Sequence, residues 1–259
     1  MPSDTPFEIA VIPCLSDNYA FLAHDPGTGA TLCVDVPEAA PIKAALAQRG
    51  WTLSHVLLTH HHADHVQGLK ELLSEHPAQV IGARADAHRL PPLDTEVAED
   101  DEIRIGAQSG RVMDVSGHTV GHIAVHFPAS RAVFTADSLM ALGCGRLFEG
   151  TPDQMWTSLS KLMALPPETI VYSGHEYTAA NAKFALTVDP DNPDLISRSK
   201  QIETARDQGR PTIPSTMAEE LATNPFLRAA DPAIRAHLGM QDATDAAVFA
   251  EIRARKDVF

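Results

Sequence analysis

The chain contains no run of about eighteen apolar residues, so no membrane-spanning helix is expected. Cysteine is scarce: Cys14, Cys33 and Cys144 include no CxxC pair, which leaves no disulfide framework and no thiolate cluster. Basic side chains are also few, 20 against 34 acidic over 259 residues, for a net charge of −14. Non-specific nucleic-acid binding needs a basic stripe that displaces counterions, so nucleic acid is not an expected partner. No Gly-x-Ser-x-Gly occurs, which argues against a serine-hydrolase elbow. The opening MPSDTPFEIAVIPCL has neither the basic-then-apolar order of a secretory leader nor the arginine content of a transit segment. A soluble, cytoplasmic, monomeric protein is expected. The apolar share of 44% and charged share of 21% suit a globular chain of one large domain, or a domain with a smaller companion.

The charge deficit is uneven. Residues 1–100 carry fourteen acidic and five basic side chains, whereas residues 226–259 hold five of each. An anionic small substrate would therefore need a local basic patch.

Short apolar, β-branched runs bounded by turn residues fill the first two-thirds. They predict strands at 7–14, 31–36, 56–59, 80–83, 111–115, 123–127, 132–135 and 169–173. Helices are predicted over 41–48, with Gly50 beyond the end, over 64–74, and over 152–164 with Thr151 as cap. After Gly174 the pattern is helical, at 179–187, 194–208, 217–221 and 245–256, with no convincing strand; Thr216 to Glu219 fits a capping box. The expected organisation is a mixed α/β domain over 1–173 and an all-helical domain over 174–259.

Thirteen histidines are the abundant feature. The main motif is Thr59-His60-His61-His62-Ala63-Asp64-His65, directly after a predicted strand. On a regular helix His60 and His62 would diverge by about 200°. In a loop leaving a strand they can converge, while Asp64 and His65 turn towards a neighbouring point from the start of the next helix. His61 and Ala63 would point away. One loop cannot fill two metal shells, and the further candidates are His118, Asp137 and His175, each at a predicted strand end. The assignment is His60, His62 and His118 on one ion and Asp64, His65 and His175 on the other, with Asp137 bridging. Imidazole and carboxylate ligands suit zinc, iron(II) or manganese(II). His122 and His126 are read as ordinary structural histidines, Asp35 and Thr59 as candidate outer partners, and Cys33 and Cys144 as packing residues.

HxHxDH followed by His118, Asp137 and His175 at these intervals resembles the metallo-β-lactamase superfamily, which implies a four-layer αββα sandwich followed here by a small helical domain. Gly143 to Gly150, Ser173 to Thr178, Asn224-Pro225-Phe226-Leu227-Arg228 and Arg253 to Asp257 narrow the resemblance to the hydroxyacylglutathione hydrolase (glyoxalase II) family, from Asn18-Tyr19 to the last residues. That resemblance implies a thioesterase with two divalent ions, zinc foremost. It would convert S-D-lactoylglutathione to D-lactate and glutathione by a metal-bridged hydroxide, the second step of methylglyoxal detoxification. Asp64 and Asp137 would be catalytic as well as ligating. Glutathione would be held by Arg146, Phe148, Tyr177, Arg253 and Lys256. In animal members lysine and tyrosine stand at the places of Arg146 and Phe148; arginine keeps the charge and adds a bidentate fork, while phenylalanine lacks the hydroxyl. On spacing alone, Arg253 and Lys256 share a helical face and could be a solvated helix end. Two rivals remain at this point: a one-iron persulfide dioxygenase on the same scaffold, and a metal-binding scaffold without catalysis.

Overall fold

The computed structural model describes residues 5–259; residues 1–4, part of the opening segment read above for a leader, lie outside the described residues. Two compact units emerge, one built from the chain up to Asp114 together with Val120–Thr135, the other from Val115–Thr119 together with Ala136–Phe259.

In the first unit six strands form a sheet in chain order: β1 (Glu8–Cys14), β2 (Asn18–His24), β3 (Thr31–Val34), β4 (His55–Leu58), β5 (Gln79–Ala83) and β6 (Thr95–Val97). The pairs from β1 to β3 are antiparallel and those from β3 to β6 parallel. The sequence accounts for this division. β1 carries Pro13, which an edge strand tolerates, and buries every second residue from Ala10 to Cys14. β3 and β4 are short apolar runs, as parallel strands covered on both faces require.

Helix α1 (Ala39–Arg49) ends at Gly50, whose left-handed backbone (φ 67°) closes the last turn. Helices α2 (Ala63–Val66) and α3 (Leu69–Glu75) follow β4. Leu46, Ile42, Leu58, Leu72 and Val80 lie in the core they share with the sheet. Burying each such side chain contributes roughly 1.5–3 kcal/mol. A second antiparallel ladder joins β7 (Glu102–Ile105), β8 (Gln108–Asp114), β9 (Ile123–Phe127) and β10 (Ala132–Ala136).

The second unit holds the hairpin β11 (Leu139–Met140) with β12 (Gly143–Cys144), helix α4 (Pro152–Met163), and β13 (Ile170–Ser173) paired with β14 (Ser215–Thr216). Helices α5 (Thr178–Val188), α6 (Pro193–Asp207), α7 (Met217–Thr223), α8 (Pro232–Leu238) and α9 (Asp245–Asp257) complete it. Thr151 and Thr216 each form the two reciprocal bonds of a capping box.

Four expectations are corrected. The helix read over 64–74 is two helices, because the chain must pass the β3–α1 connection at Gly68. Its N–H donates to Val36 O at 2.9 Å, and a Cβ there would lie 2.9 Å from Ala39 N. β2 went unread because its fully apolar middle lacks alternation. The two-residue β14 interrupts a region read as free of strands. α8 was not read although its signals are present: Asp231 caps it, Pro232 opens it and Gly239 ends it.

Candidate metal centre

Because β3 and β4 run parallel, their carboxyl ends emerge side by side, and Asp35 N–H donates to Leu57 O at 2.9 Å. Open α/β sheets bind ligands at such ends. Asp35 follows β3 with a left-handed backbone (φ 57°), and its buried carboxylate accepts three bonds. Oδ1 takes Thr59 N–H at 2.9 Å; Oδ2 takes Thr59 Oγ1–H at 2.8 Å and His65 Nδ1–H at 2.7 Å. With its only proton committed to Asp35, Thr59 Oγ1 accepts from His60 Nδ1 at 3.0 Å. One carboxylate thereby sets two tautomers, with the proton on Nδ1 and the lone pair on Nε2 in both His60 and His65. Outer carboxylates orient metal-binding imidazoles in this manner.

His60 lies against His62 and His65, with ring centroids 4.7 and 4.2 Å away. Asp64 is fixed by Asn18, whose Nδ2 donates to its Oδ2 at 2.9 Å and to its carbonyl at 3.1 Å. His65 Nε2 faces Asp64 Oδ2 at 3.8 Å. His61 turns instead to the buried Asp86, 2.9 Å from Nδ1, which also pairs with Arg89. His122 is fully buried and stacks on His60, 4.6 Å between centroids at 17°.

In the second unit Asp137 follows β10 and His175 follows β13, and Gly174 N–H bonds Ala136 O at 3.0 Å between them. His118 Nδ1 donates to Arg146 O at 2.7 Å, since a carbonyl only accepts; its Nε2 therefore carries a lone pair. That lone pair faces Asp137 Oδ2 at 3.5 Å, and His175 Nε2 faces the same oxygen at 3.3 Å. The His118 lone pair directed at a carboxylate oxygen is repelled unless a cation lies between them. The donors therefore fit a divalent metal, and all seven residues belong to histidine–aspartate groups able to hold one.

The residues expected to hold glutathione all lie in this second unit. Tyr177 stacks on His175 (4.6 Å, 8°) and Phe148 meets His118 edge-on at 5.3 Å; both rings are exposed. Arg146 is 3.4 Å from Asp257, which also pairs with Arg253 at 2.9 Å. Arg253 is only 6% exposed and donates to Cys144 O at 2.9 Å, so it is not the solvated helix end that spacing alone allowed. Lys256 Nζ lies 3.5 Å from Ala180 O and over the rings of Phe184 and Phe259. Burial, and secondarily the charge of Arg253, lowers the pKa of Lys256. Burial pushes Cys14 and Cys144 up to about 11, and Cys33 well above its ordinary value, so no cysteine supplies a thiolate nucleophile or ligand.

Asn18 and Asp86 were not read as site residues. Asn18 entered only as the start of the family match and Asp86 not at all, because both act on a loop more than twenty residues away.

Two sheets with helices, histidine- and aspartate-bearing strand ends and a helical C-terminal region define a metal-dependent hydrolase of the metallo-β-lactamase fold. The superfamily model, metallo-β-lactamase, matches residues 25–175, and that of the hydroxyacylglutathione hydrolase C-terminus matches residues 176–259. The hydroxyacylglutathione hydrolase of Roseobacter denitrificans is 70% identical over 254 residues, 98% of this chain and all of that one. That of a Jannaschia species is 67% identical over 252 residues, covering 97% and 98%. Among solved structures, ETHE1 from Myxococcus xanthus is similar at TM-score 0.65 and 26% identity, covering 98% of this chain and 99% of its own. The BLEG-1 B3 metallo-β-lactamase, at TM-score 0.66 and 19% identity over 85% and 99%, shares the fold. The chain belongs to the hydroxyacylglutathione hydrolase family. Among the described residues, no helix is long and apolar enough to cross a membrane.

Proposed function

We propose that this chain hydrolyses S-D-lactoylglutathione to D-lactate and glutathione, the second step of methylglyoxal detoxification, as a cytoplasmic monomer. His60, His62 and His118 would hold one divalent ion and Asp64, His65 and His175 a second, with Asp137 bridging; zinc fits first, iron or manganese equally by ligand type. The observation that carries this reading is the carboxylate oxygen of Asp137 facing the fixed Nε2 lone pair of His118, with Nε2 of His175 beside the same oxygen. Two such ions supply a water of lowered pKa and polarise an acyl carbonyl.

The rest falls to the chain's own side chains. Asp64, steadied by Asn18, orients the attacking water. Arg146, Arg253 and Lys256 supply the positive patch that an acidic protein needs for an anionic tripeptide, and Phe148 and Tyr177 flank it. Their grip on glutathione lies away from the reacting carbon, so remote binding becomes positioning of the thioester. The departing thiol, with a pKa of about 8.5, leaves as thiolate without strong protonation. On the expected boundary, residues 1–173 would supply six of the seven metal ligands, and residues 174–259 would supply His175 and three of the five glutathione contacts. Neither nucleic acid nor membrane is a partner.

The test is steady-state hydrolysis of S-D-lactoylglutathione, followed at the thioester absorbance on protein whose metal content is measured in the same sample. Turnover with two ions per chain is expected, falling by about 100-fold or more in Asp137→Ala. No turnover at full metal occupancy would refute the reading.

A further inference from the structure

We infer that Glu220, with Arg198 and Asn224, is a positioning group for the loop that carries Arg146 and Phe148, an inference that rests on the function proposed above. The hairpin of β11 and β12 has strands of only two residues each and turns through Leu142 at φ 57°. So short a hairpin does not hold its own shape. Side chains from elsewhere hold it instead. Leu142 N–H donates to Glu220 Oε2 at 2.9 Å. Asn224 Nδ2 donates to Met140 O at 3.2 Å and to Gly143 O at 3.0 Å. Asn181 Nδ2 donates to Ala141 O at 3.1 Å. Each of the four consecutive residues 140–143 thus has a backbone group bonded to a buried side chain.

Glu220 is the hub. It is fully buried, and its second oxygen pairs with Arg198 Nη2 at 2.6 Å, while Asn224 Nδ2 also donates to Oε2 at 3.0 Å. Arg198 Nη1 is taken by Thr223 Oγ1 at 2.7 Å. Replacing a buried ion pair with packed apolar groups is often neutral or stabilising, so stability alone does not account for this one. What it adds is a fixed acceptor for Leu142.

The hairpin leads directly into the proposed site. Cys144 O accepts from Arg253, Arg146 O accepts from His118 Nδ1 at 2.7 Å, and Phe148 N–H donates to His118 O at 3.2 Å. Gly145 leaves no slack, since a Cβ there would fall 2.1 Å from Asp137 O. A shift of the hairpin therefore moves the guanidinium of Arg146 and the carbonyl that sets the His118 tautomer.

Two charge-neutral double variants separate positioning from stability. Arg198→Met with Glu220→Gln removes the ion pair but keeps an amide oxygen for Leu142 N–H; Arg198→Met with Glu220→Leu removes the acceptor as well. Each is measured for KM with S-D-lactoylglutathione, for glutathione dissociation constant on metal-free protein, and by thermal melting. Relative to the glutamine double, the leucine double should melt somewhat lower, because Leu142 N–H loses its acceptor, and still be folded at the assay temperature. Its KM and glutathione dissociation constant should rise about tenfold, the worth of one buried hydrogen bond. Equal KM and equal dissociation constants in the two folded doubles overturn the inference. Should the leucine double not fold, Asn224→Ala, which removes the bonds to Met140 O and Gly143 O, decides: a KM raised about threefold supports the inference, and an unchanged KM overturns it. Absence of turnover in the unsubstituted enzyme sinks the thioesterase reading, whereas turnover with equal constants in both doubles sinks the positioning role alone.

Discussion

Asp35→Asn separates the tautomer argument from any effect on the backbone. Asp35 sits in the left-handed region, which asparagine adopts as readily as aspartate, so the main chain has no reason to move. The aspartate offers two acceptor oxygens to three donors, Thr59 N–H, Thr59 Oγ1–H and His65 Nδ1–H. Asparagine offers one oxygen and one NH2. With its oxygen towards His65, the NH2 meets Thr59 N–H. With its oxygen towards Thr59 N–H, the NH2 meets His65 Nδ1 and drives the ring proton to Nε2, the atom assigned to the metal. The first orientation sets a donor against a donor, and the second takes away the Nε2 lone pair that the metal needs. Losing one hydrogen bond to a charged group costs about 1.5–3 kcal/mol. At about 1.4 kcal/mol per tenfold, metal affinity should fall by roughly 10- to 100-fold, the range seen for outer partners of ligating histidines. Competition against a chromophoric chelator reads this directly, with thermal melting as a check that the variant is folded. A folded Asp35→Asn protein that binds metal within about twofold of wild type would refute the tautomer argument.

Gly145→Ala should lower kcat on the glutathione thioester by about 100-fold or more, because the new methyl meets a carbonyl oxygen and the His118 ring and must push the loop aside. A wild-type kcat in that variant would show that the loop yields without consequence. His126 supplies a pH prediction. Burial, with the Arg111 charge adding to it, holds its pKa below the ordinary histidine value. Above an unfolded pKa of about 6.5 both states are neutral and the stability is complete; below it the unfolded chain takes up a proton that the folded chain resists, so stability is lost until pH reaches the folded value. Melting temperature should therefore fall as pH drops through about 6.5, and fall less steeply in His126→Leu. His55, lowered by burial, contributes in the same direction. Identical slopes for wild type and variant would contradict this account.

Features that close within a few residues were readable from the chain. The HxHxDH loop is one, since chemistry and spacing sit in the same six residues. The capping boxes at Thr151 and Thr216 and the glycine stop at Gly50 are others, because caps and stops act within one turn of helix. The family resemblance rests on the same kind of local pattern, and so do the positions of the eight strands read from the chain.

Other features needed the folded chain. The break at Gly68 comes from the close passage of Val36 and Ala39, thirty residues earlier. Asp35 became the keystone of two histidines only when β3 and β4 lay parallel with their ends in register. Spacing alone left Arg253 open to being a solvated helix end, and only packing buries it against Cys144, 109 positions away in the chain. Glu220 and Arg198 looked like ordinary charges on two helices, and only the meeting of α6 and α7 over the hairpin takes them out of water. A side chain's partner across space leaves no periodic trace in sequence. Its protonation, exposure and purpose are set by desolvation and hydrogen bonding, which exist only once distant segments have packed.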